Sequence, residues 1–290
     1  MACPICKNTD KHHSLSVKDY EYNIMNITKY YFCYSCEAIY RNKFLSEKEE
    51  KELYDKGTYK PVKGGIIYDF LKKINAHYEK NIILKLLSKR KIQNTSKILD
   101  IACGKGYLLE QFTKNKNFQC FGIDINANIE NNKIKFFKSS YANIDIIKNI
   151  NPNLIIINNF IEHMEDYTIL HKILNIMEYN STMVIITPDA NSNARKYFKD
   201  CWSGFHAPRH KIIFNKNNIL KIFKMKNNNY IETDKLYDPF TNLVSLNNLL
   251  KKLKNEFSLI NLFKVIISPL MLFLDIINKN RVIILIKKNK

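Results

Sequence analysis

The sequence predicts an α/β protein, a largely parallel sheet with helices on both faces, preceded by a small cysteine-built module. Three observations carry that reading. Between Lys97 and Asp124 the apolar run Ile98-Leu99-Asp100-Ile101 meets a tight turn, Ala102-Cys103-Gly104-Lys105-Gly106. A helical stripe of Tyr107, Leu108, Leu109 and Phe112 follows, then a second strand from Phe118 to Ile123. Next, Asn153 to Asn159 is a near-continuous apolar run after Pro152, the pattern of a strand buried on both faces. Third, the chain begins with two C-x-x-C pairs at a ribbon-like separation.

In those pairs, Cys3-Pro4-Ile5-Cys6 and Cys33-Tyr34-Ser35-Cys36, each turn carries two sulfurs, and two turns complete a tetrahedral S4 zinc site. Tyr30-Tyr31-Phe32 between them is strand-prone, as a ribbon needs. So short a module has little core, and metal ligation would supply much of its folding free energy. His12 and His13 read as solvated loop residues, and Cys103, Cys120 and Cys201 as small packing residues. We assign residues 1–44 to this module and 45–64 to a linker that contains a capping box, Ser46 with Glu49. Residues 65–290 form the main domain. It starts with one or two amphipathic helices, on Ile66, Phe70, Leu71, Ile74, Tyr78, Ile82 and Leu86.

Composition sets outer bounds. The 290 residues carry 46 Lys+Arg against 27 Asp+Glu, a formal net charge of +19, and 46% hydrophobic residues suffice for a core. Such a balance points to an anionic partner: nucleic acid, an acidic lipid surface or a phosphorylated substrate. It also fits a Lys-, Asn- and Ile-rich composition in which lysine is the default solvated residue, and no dense basic block with interleaved aromatics stands out. The opening Met1-Ala2-Cys3-Pro4 has no apolar core segment, so the expectation is a cytoplasmic protein whose cysteines are thiols or ligands.

The glycine turn after Ile101 lets backbone N–H groups at a helix N-terminus approach a ligand closely, and an acid at the tip of the next strand can accept both hydroxyls of a ribose. A dinucleotide site would want a third glycine where Leu109 stands. The D-x-x-x-G-x-G pattern instead resembles class I S-adenosylmethionine-dependent methyltransferases, a Rossmann-like fold on a seven-stranded sheet. The resemblance implies that Asp100 reaches the methionine part of the cofactor, Gly104 and Gly106 pass beneath it, and Asp124 holds the ribose, with Ala102 and Ile125 beside it. Ala102 stands where the family often has glycine, so the turn is expected to manage without positive φ there.

Behind a third strand, Lys133 to Lys138, the stretch Ser139 to Asn143 is where the family commonly contacts adenine, but no acid occurs until Asp145. The block Phe160-Ile161-Glu162-His163-Met164 closely resembles the ubiquinone-biosynthesis-like methyltransferases. It follows a strand whose carboxyl end belongs to the ligand crevice of an open α/β sheet. Asn159, Glu162 and His163 are therefore expected near the transferred methyl or the cofactor's tail. A helix, Thr168 to Tyr179, and a fifth strand, Thr182 to Thr187, come next. The stretch Trp202 to His210 with Phe214 resembles the W-x-G…P-R-H…F region of the same subgroup. Two readings stay open for it: a substrate-side wall with Trp202, His206, Arg209 and His210 at the cleft, or a clamp that ties loops together. On the first, His163, His206 or His210 could deprotonate a hydroxyl and Arg209 could grip an anion.

Phe257 to Ile277 is apolar apart from Asn261, Lys264, Ser268 and Asp275, within an expected helical insertion over about 245–278. Pro269 and two charges interrupt it, and basic residues flank it at 251–254 and 279–281. Peripheral membrane contact through 251–281 competes with a lid or a dimer contact. Arg281 to Ile286 reads as a final antiparallel strand, with a partner at about 230–237.

The function implied by the resemblance is in-line methyl transfer from S-adenosylmethionine to oxygen or carbon of a small-molecule, sugar or lipid-linked acceptor, with structural Zn2+ in the ribbon. RNA methylation is the rival. DNA base methylation usually carries N/D-P-P-Y/F where this chain has Asn158-Asn159-Phe160. A non-catalytic cofactor-binding adaptor is the third reading.

Overall fold

A computed structural model describes residues 2–9, 13–21, 27–42, 45–46, 48–50, 53, 66–89, 96–126, 131–223 and 230–289. His12, Gly65 and most of the expected linker lie outside them. The chain divides into two compact units, one of Met1–Lys63, Pro188–Lys224 and Lys235–Val282, the other of Gly64–Thr187, Met225–Asp234 and Ile283–Lys290.

The second unit is built on a seven-stranded sheet. In chain order its strands are β4 (Lys97–Ile101), β5 (Gln119–Asp124), β6 (Ile134–Lys138), β7 (Leu154–Asn158), β8 (Thr182–Pro188), β10 (Tyr230–Leu236) and β11 (Arg281–Lys287). Their spatial order is β10-β11-β8-β7-β4-β5-β6. The pairs β4–β5, β4–β7, β5–β6 and β7–β8 are parallel. β11 is antiparallel to β8: Lys288 exchanges backbone bonds with Asn180 and Ser181 at the start of β8, and Asn280 accepts from Asp189 past its end. Ile155, Ile156, Met183, Val184 and Ile185 are fully buried, as central strands covered on both faces require. Successive strands step outward from β4 through β5 to β6, then reverse to β7 and β8. That reversal opens a crevice at the carboxyl ends of β4 and β7.

The helices of this unit are α1 (Ile66–Lys89), α2 (Tyr107–Phe112), α3 (Ile144–Ile150) and α4 (Thr168–Ile176). α1 is one helix, and its buried face shares only Leu86 with the expected stripe among the described side chains. Phe70 and Ile74 are 61% and 51% exposed, while Ala76, Glu79, Ile83, Leu86 and Leu87 are buried. The reason is polar. The inward position Glu79 accepts hydrogen bonds from Asn75 (3.0 Å) and from Asn158 at the end of β7 (2.9 Å), and this fixes the rotation of the helix.

The first unit has its own four-stranded sheet, β1 (His13–Val17), β2 (Thr28–Phe32), β3 (Ile39–Arg41) and β9 (Ile212–Ile213), in that order. The ribbon hairpin is thus extended by a strand from the far side of the sequence, with Ile39 opposite Ile213 and Tyr40 opposite Ile212. Tyr30 of β2 donates to the carbonyl of His210 (2.9 Å), and Arg41 to that of Pro208 (2.6 Å). One buried cluster joins Val17, Tyr30 and Ile39 to Ala194, Phe198, Trp202, Phe205, Ile213 and Leu249. The helices here are α5 (Asn193–Phe198), α6 (Lys216–Phe223), α7 (Pro239–Asn255) and α8 (Leu259–Asn278). The expected capping box is present: Ser46 N–H and Oγ both reach Glu49, and Glu49 N–H returns to Ser46 Oγ.

Candidate active site and metal centre

At the crevice of the second unit lies a cavity of about 130 Å³, lined among others by Asn75, Glu79, Asp100, Ala102, Asn158 and Asn159. Asp100 is the penultimate residue of β4 at 4% exposure, and its Oδ1 is buried without a hydrogen-bond partner. Burial pushes its carboxyl well above the usual carboxylate range, reinforced by the charges of Glu79 and Asp124. An unsatisfied buried acceptor is costly, so this atom is suited to a donor or cation brought by a ligand.

The turn after β4 uses left-handed backbone three times in five residues. Gly104 and Gly106 stand at φ +52° and +71°. Ala102 also lies there, at φ 58°, contrary to the expectation that an alanine turn would avoid it. The strain is of order 1–2 kcal/mol for a residue with a Cβ. Gly106 has a second reason to lack one: a Cβ would stand 2.9 Å from the Phe136 ring. Asp124, at the tip of β5, organises the turn from the other side. Its Oδ2 accepts Gly104 N–H (2.9 Å) and its Oδ1 accepts Asn126 N–H (2.8 Å). Four lone-pair sites on a carboxylate leave capacity for ligand hydroxyls. Ile125 beside it is 63% exposed. Asp69 of α1 accepts from Tyr107 and lies 3.6 Å from Lys105 Nζ, tying the leading helix to the turn.

Asn159 lines the cavity at φ 53°, its N–H bonded to the Ile186 carbonyl (2.8 Å). Beyond it Phe160 stacks on His163 (6.3 Å, 29°) and meets Tyr141 edge-on (4.9 Å). Glu162 is fully buried and accepts from Thr187 Oγ1 at 2.8 Å. The structure thus gathers Asp100, Ala102 and Asn159 around one cavity and sets Gly104, Gly106 and Asp124 in the adjoining turn. Glu79 joins them, a residue that apolar periodicity hides because it is the polar member of an inward face.

Trp202, His206, Arg209 and His210 belong to the first unit. Trp202 and Arg209 are each 1% exposed and His210 is 7% exposed. His210 Nδ1 is 2.8 Å from the Gly204 carbonyl. Arg209 Nε donates to His206 Nε2 (2.9 Å), while its Nη1 lies 3.9 Å from Asp19. His206 Nδ1 is 3.1 Å from Glu21. Burial works to raise the Glu21 carboxyl, and His206 with Arg209 more than offset that, so the net shift is downward. These bonds hold the loop to the segment after β1.

The four cysteines of the paired knuckles converge, with all sulfurs within 4.8 Å of one another. Cys3–Cys36 and Cys6–Cys33 are 3.6 Å apart. A disulfide needs about 2.05 Å, whereas Zn–S bonds of about 2.3 Å set tetrahedral edges of roughly 3.8 Å. The two knuckles are built alike. Lys7 N–H returns to the Cys3 carbonyl and Glu37 N–H to that of Cys33, with Lys7 and Glu37 both left-handed at φ 61° and 59°. Cys3 is drawn down to about 5, chiefly by the Cys36 thiol. The donor set fits a tetrahedral soft-metal site.

Comparison with known proteins fits this architecture. Residues 71–233 match the family described as methyltransferase domain. Among solved structures, coclaurine N-methyltransferase bound to N-methylheliamine and SAH is 15% identical, with 72% of each chain covered and a TM-score of 0.44. A SAM-dependent methyltransferase from Archaeoglobus fulgidus is 22% identical over 72% of this chain and 94% of its own, TM-score 0.43. The plantazolicin methyltransferase BamL, in complex with a triazolic desmethylPZN analogue and SAH, is 13% identical over 84% and 91%, TM-score 0.44. No curated protein matches the chain. With the matched span covering more than half of the sequence, and the sheet order and glycine turn described above, the chain belongs to the methyltransferase-domain family.

Proposed function

We propose that the crevice of the second unit holds the cofactor and that the acceptor is a small or lipid-linked molecule methylated on oxygen or carbon. One observation carries the cofactor assignment: the buried, partnerless Oδ1 of Asp100, beside a left-handed glycine turn that Asp124 ties down. In this reading Asp100 receives the α-ammonium of the methionine part, with Glu79 adding negative charge to the same wall. The turn from Ala102 to Gly106 leaves room beneath the ligand, since a Cβ at Gly104 would meet nothing within 4 Å. Asp124 offers its remaining lone pairs to ribose hydroxyls. When bound, S-adenosylmethionine supplies an electrophilic methyl group. His163, half-buried just past β7, takes the proton from an acceptor hydroxyl. Zn2+ in the Cys3, Cys6, Cys33 and Cys36 site holds the ribbon knuckles together.

Incubating the protein with methyl-labelled cofactor and a cell extract fractionated into RNA, lipid and sugar pools tests the acceptor. Label in the lipid or small-molecule pool supports the proposal. The formal charge of +19 favours RNA as a second reading, and label in the RNA pool with activity falling steeply in added salt would establish that instead. Zinc analysis should give about one ion per chain, lost in Cys33→Ser.

A further inference from the structure

Helix α8 is inverted relative to a core helix. Its polar residues Asn261, Lys264, Ser268 and Asp275 recur at helical spacing, and this is the stripe turned toward the protein. Ser268 is 0% and Asp275 1% exposed, and Asp275 accepts from Asn242 of α7 at 2.9 Å. The buried residues of α7 are mostly polar too, Thr241, Asn242, Ser245 and Asn248 beside Leu249. The large apolar residues point outward: Leu259 is 74% exposed, Phe263 62%, Ile266 66%, and Leu270, Phe273 and Ile277 continue the stripe at three- and four-residue steps. Single exposed apolar residues are ordinary, but a continuous row of six along one helix is not.

Two occupants could cover such a row, a second copy of the chain or a lipid surface. Charge decides between them. Over residues 239–282 the basic residues are Lys251, Lys252, Lys254, Lys264, Lys279 and Arg281, against the acids Glu256 and Asp275. Arg281 and Asp275 are buried, Lys264 lies on the inward stripe and Lys252 pairs with Asp200, so Lys251, Lys254 and Lys279 stand against Glu256 at the surface. Apposing two chains of formal charge +19 along this face sets like charges together, whereas an anionic leaflet attracts them. Among the described residues no helix is long and apolar enough to cross a membrane. We infer that α8 lies in the interface of an anionic bilayer, with Phe263, Ile266, Leu270 and Phe273 entering the headgroup–acyl boundary and lysines at both ends meeting acidic headgroups.

The test is co-sedimentation of the full chain with vesicles of phosphatidylcholine alone or mixed with phosphatidylglycerol. The expected result is at least about tenfold stronger partition onto the anionic vesicles, weakening with salt. The variant Phe263→Ser/Ile266→Ser/Phe273→Ser alters only exposed positions and should stay in the supernatant while its melting temperature and zinc content match the parent. The inference is overturned if the parent chain stays in the supernatant, or if the triple variant binds vesicles equally. It is also overturned if the parent sediments as a dimer that the variant abolishes, in which case the face is a subunit contact.

Discussion

Two clusters of ionisable side chains, one in each unit, are built on different plans. In the cleft of the second unit a buried carboxylate oxygen of Asp100 has no partner beside a cavity of about 130 Å³. In the Trp202–His210 loop of the first unit the ionisable side chains are linked to one another and to their surroundings, Arg209 to His206 and Asp19, His206 to Glu21 and His210 to the Gly204 carbonyl, while the buried Trp202 Nε1 makes no hydrogen bond. A partnerless buried acceptor costs stability until a ligand arrives, whereas the linked His206, Arg209 and Glu21 groups contribute stability at once.

The largest effect should come from His163→Ala. If this imidazole takes the acceptor's proton, methyl transfer falls about 10²- to 10⁴-fold while affinity for S-adenosylhomocysteine stays within a factor of about two. Equal losses in both would make His163 a cofactor contact instead. On the other side of the comparison, Arg209→Ala removes one member of a buried set and should destabilise by about 3–5 kcal/mol. The chain's only tryptophan, Trp202, reports it as an earlier red shift of fluorescence on denaturant titration. Parent-like stability would break the claim that the loop is a clamp.

Asp100→Asn should weaken S-adenosylhomocysteine about 10- to 100-fold, the loss of a charge-assisted bond. It should also stabilise the ligand-free protein, because burial holds the Asp100 carboxyl above its unfolded value. A carboxyl raised in this way contributes stability that is full below its unfolded value and fades as pH rises through the folded one. The parent's melting temperature should therefore fall with rising pH more than the variant's. The smallest effect belongs to Ala102→Gly, which relieves a left-handed alanine and should raise stability by about 1 kcal/mol in chemical denaturation.

What the sequence revealed and what it hid follow one division. The β4–turn–β5 unit, the central strands and the cysteine knuckles are local patterns, each contained within a few tens of residues, and each was legible. The pairing of Ile39 with Ile213 has no local signature, so the continuity of the ribbon sheet with the stretch after the Trp202–His210 loop could not be read. The rotation of α1 was missed for another reason. Periodicity weighs large apolar residues, so it favoured Phe70 and Ile74 over a face whose key member is Glu79. In α8 the inward stripe is the polar one, Asn261 and Lys264 half-buried with Ser268 and Asp275 buried, so the apolar residues that dominate its composition lie outside. Ala102 failed through a rule that is statistical: alanine avoids positive φ until the surrounding turn compels it.

The central claim is that Asp100 offers an ionisable, partnerless carboxylate to a cationic ligand. Calorimetric titration of S-adenosylhomocysteine into the parent and Asp100→Asn proteins, across pH and in buffers of different ionisation enthalpy, tests it most directly. The account predicts parent affinity that tightens as pH rises, with proton release on binding, and a variant that is at least about tenfold weaker and flat with pH. Parent and variant binding alike at every pH, or a parent that gives no heat, would contradict it.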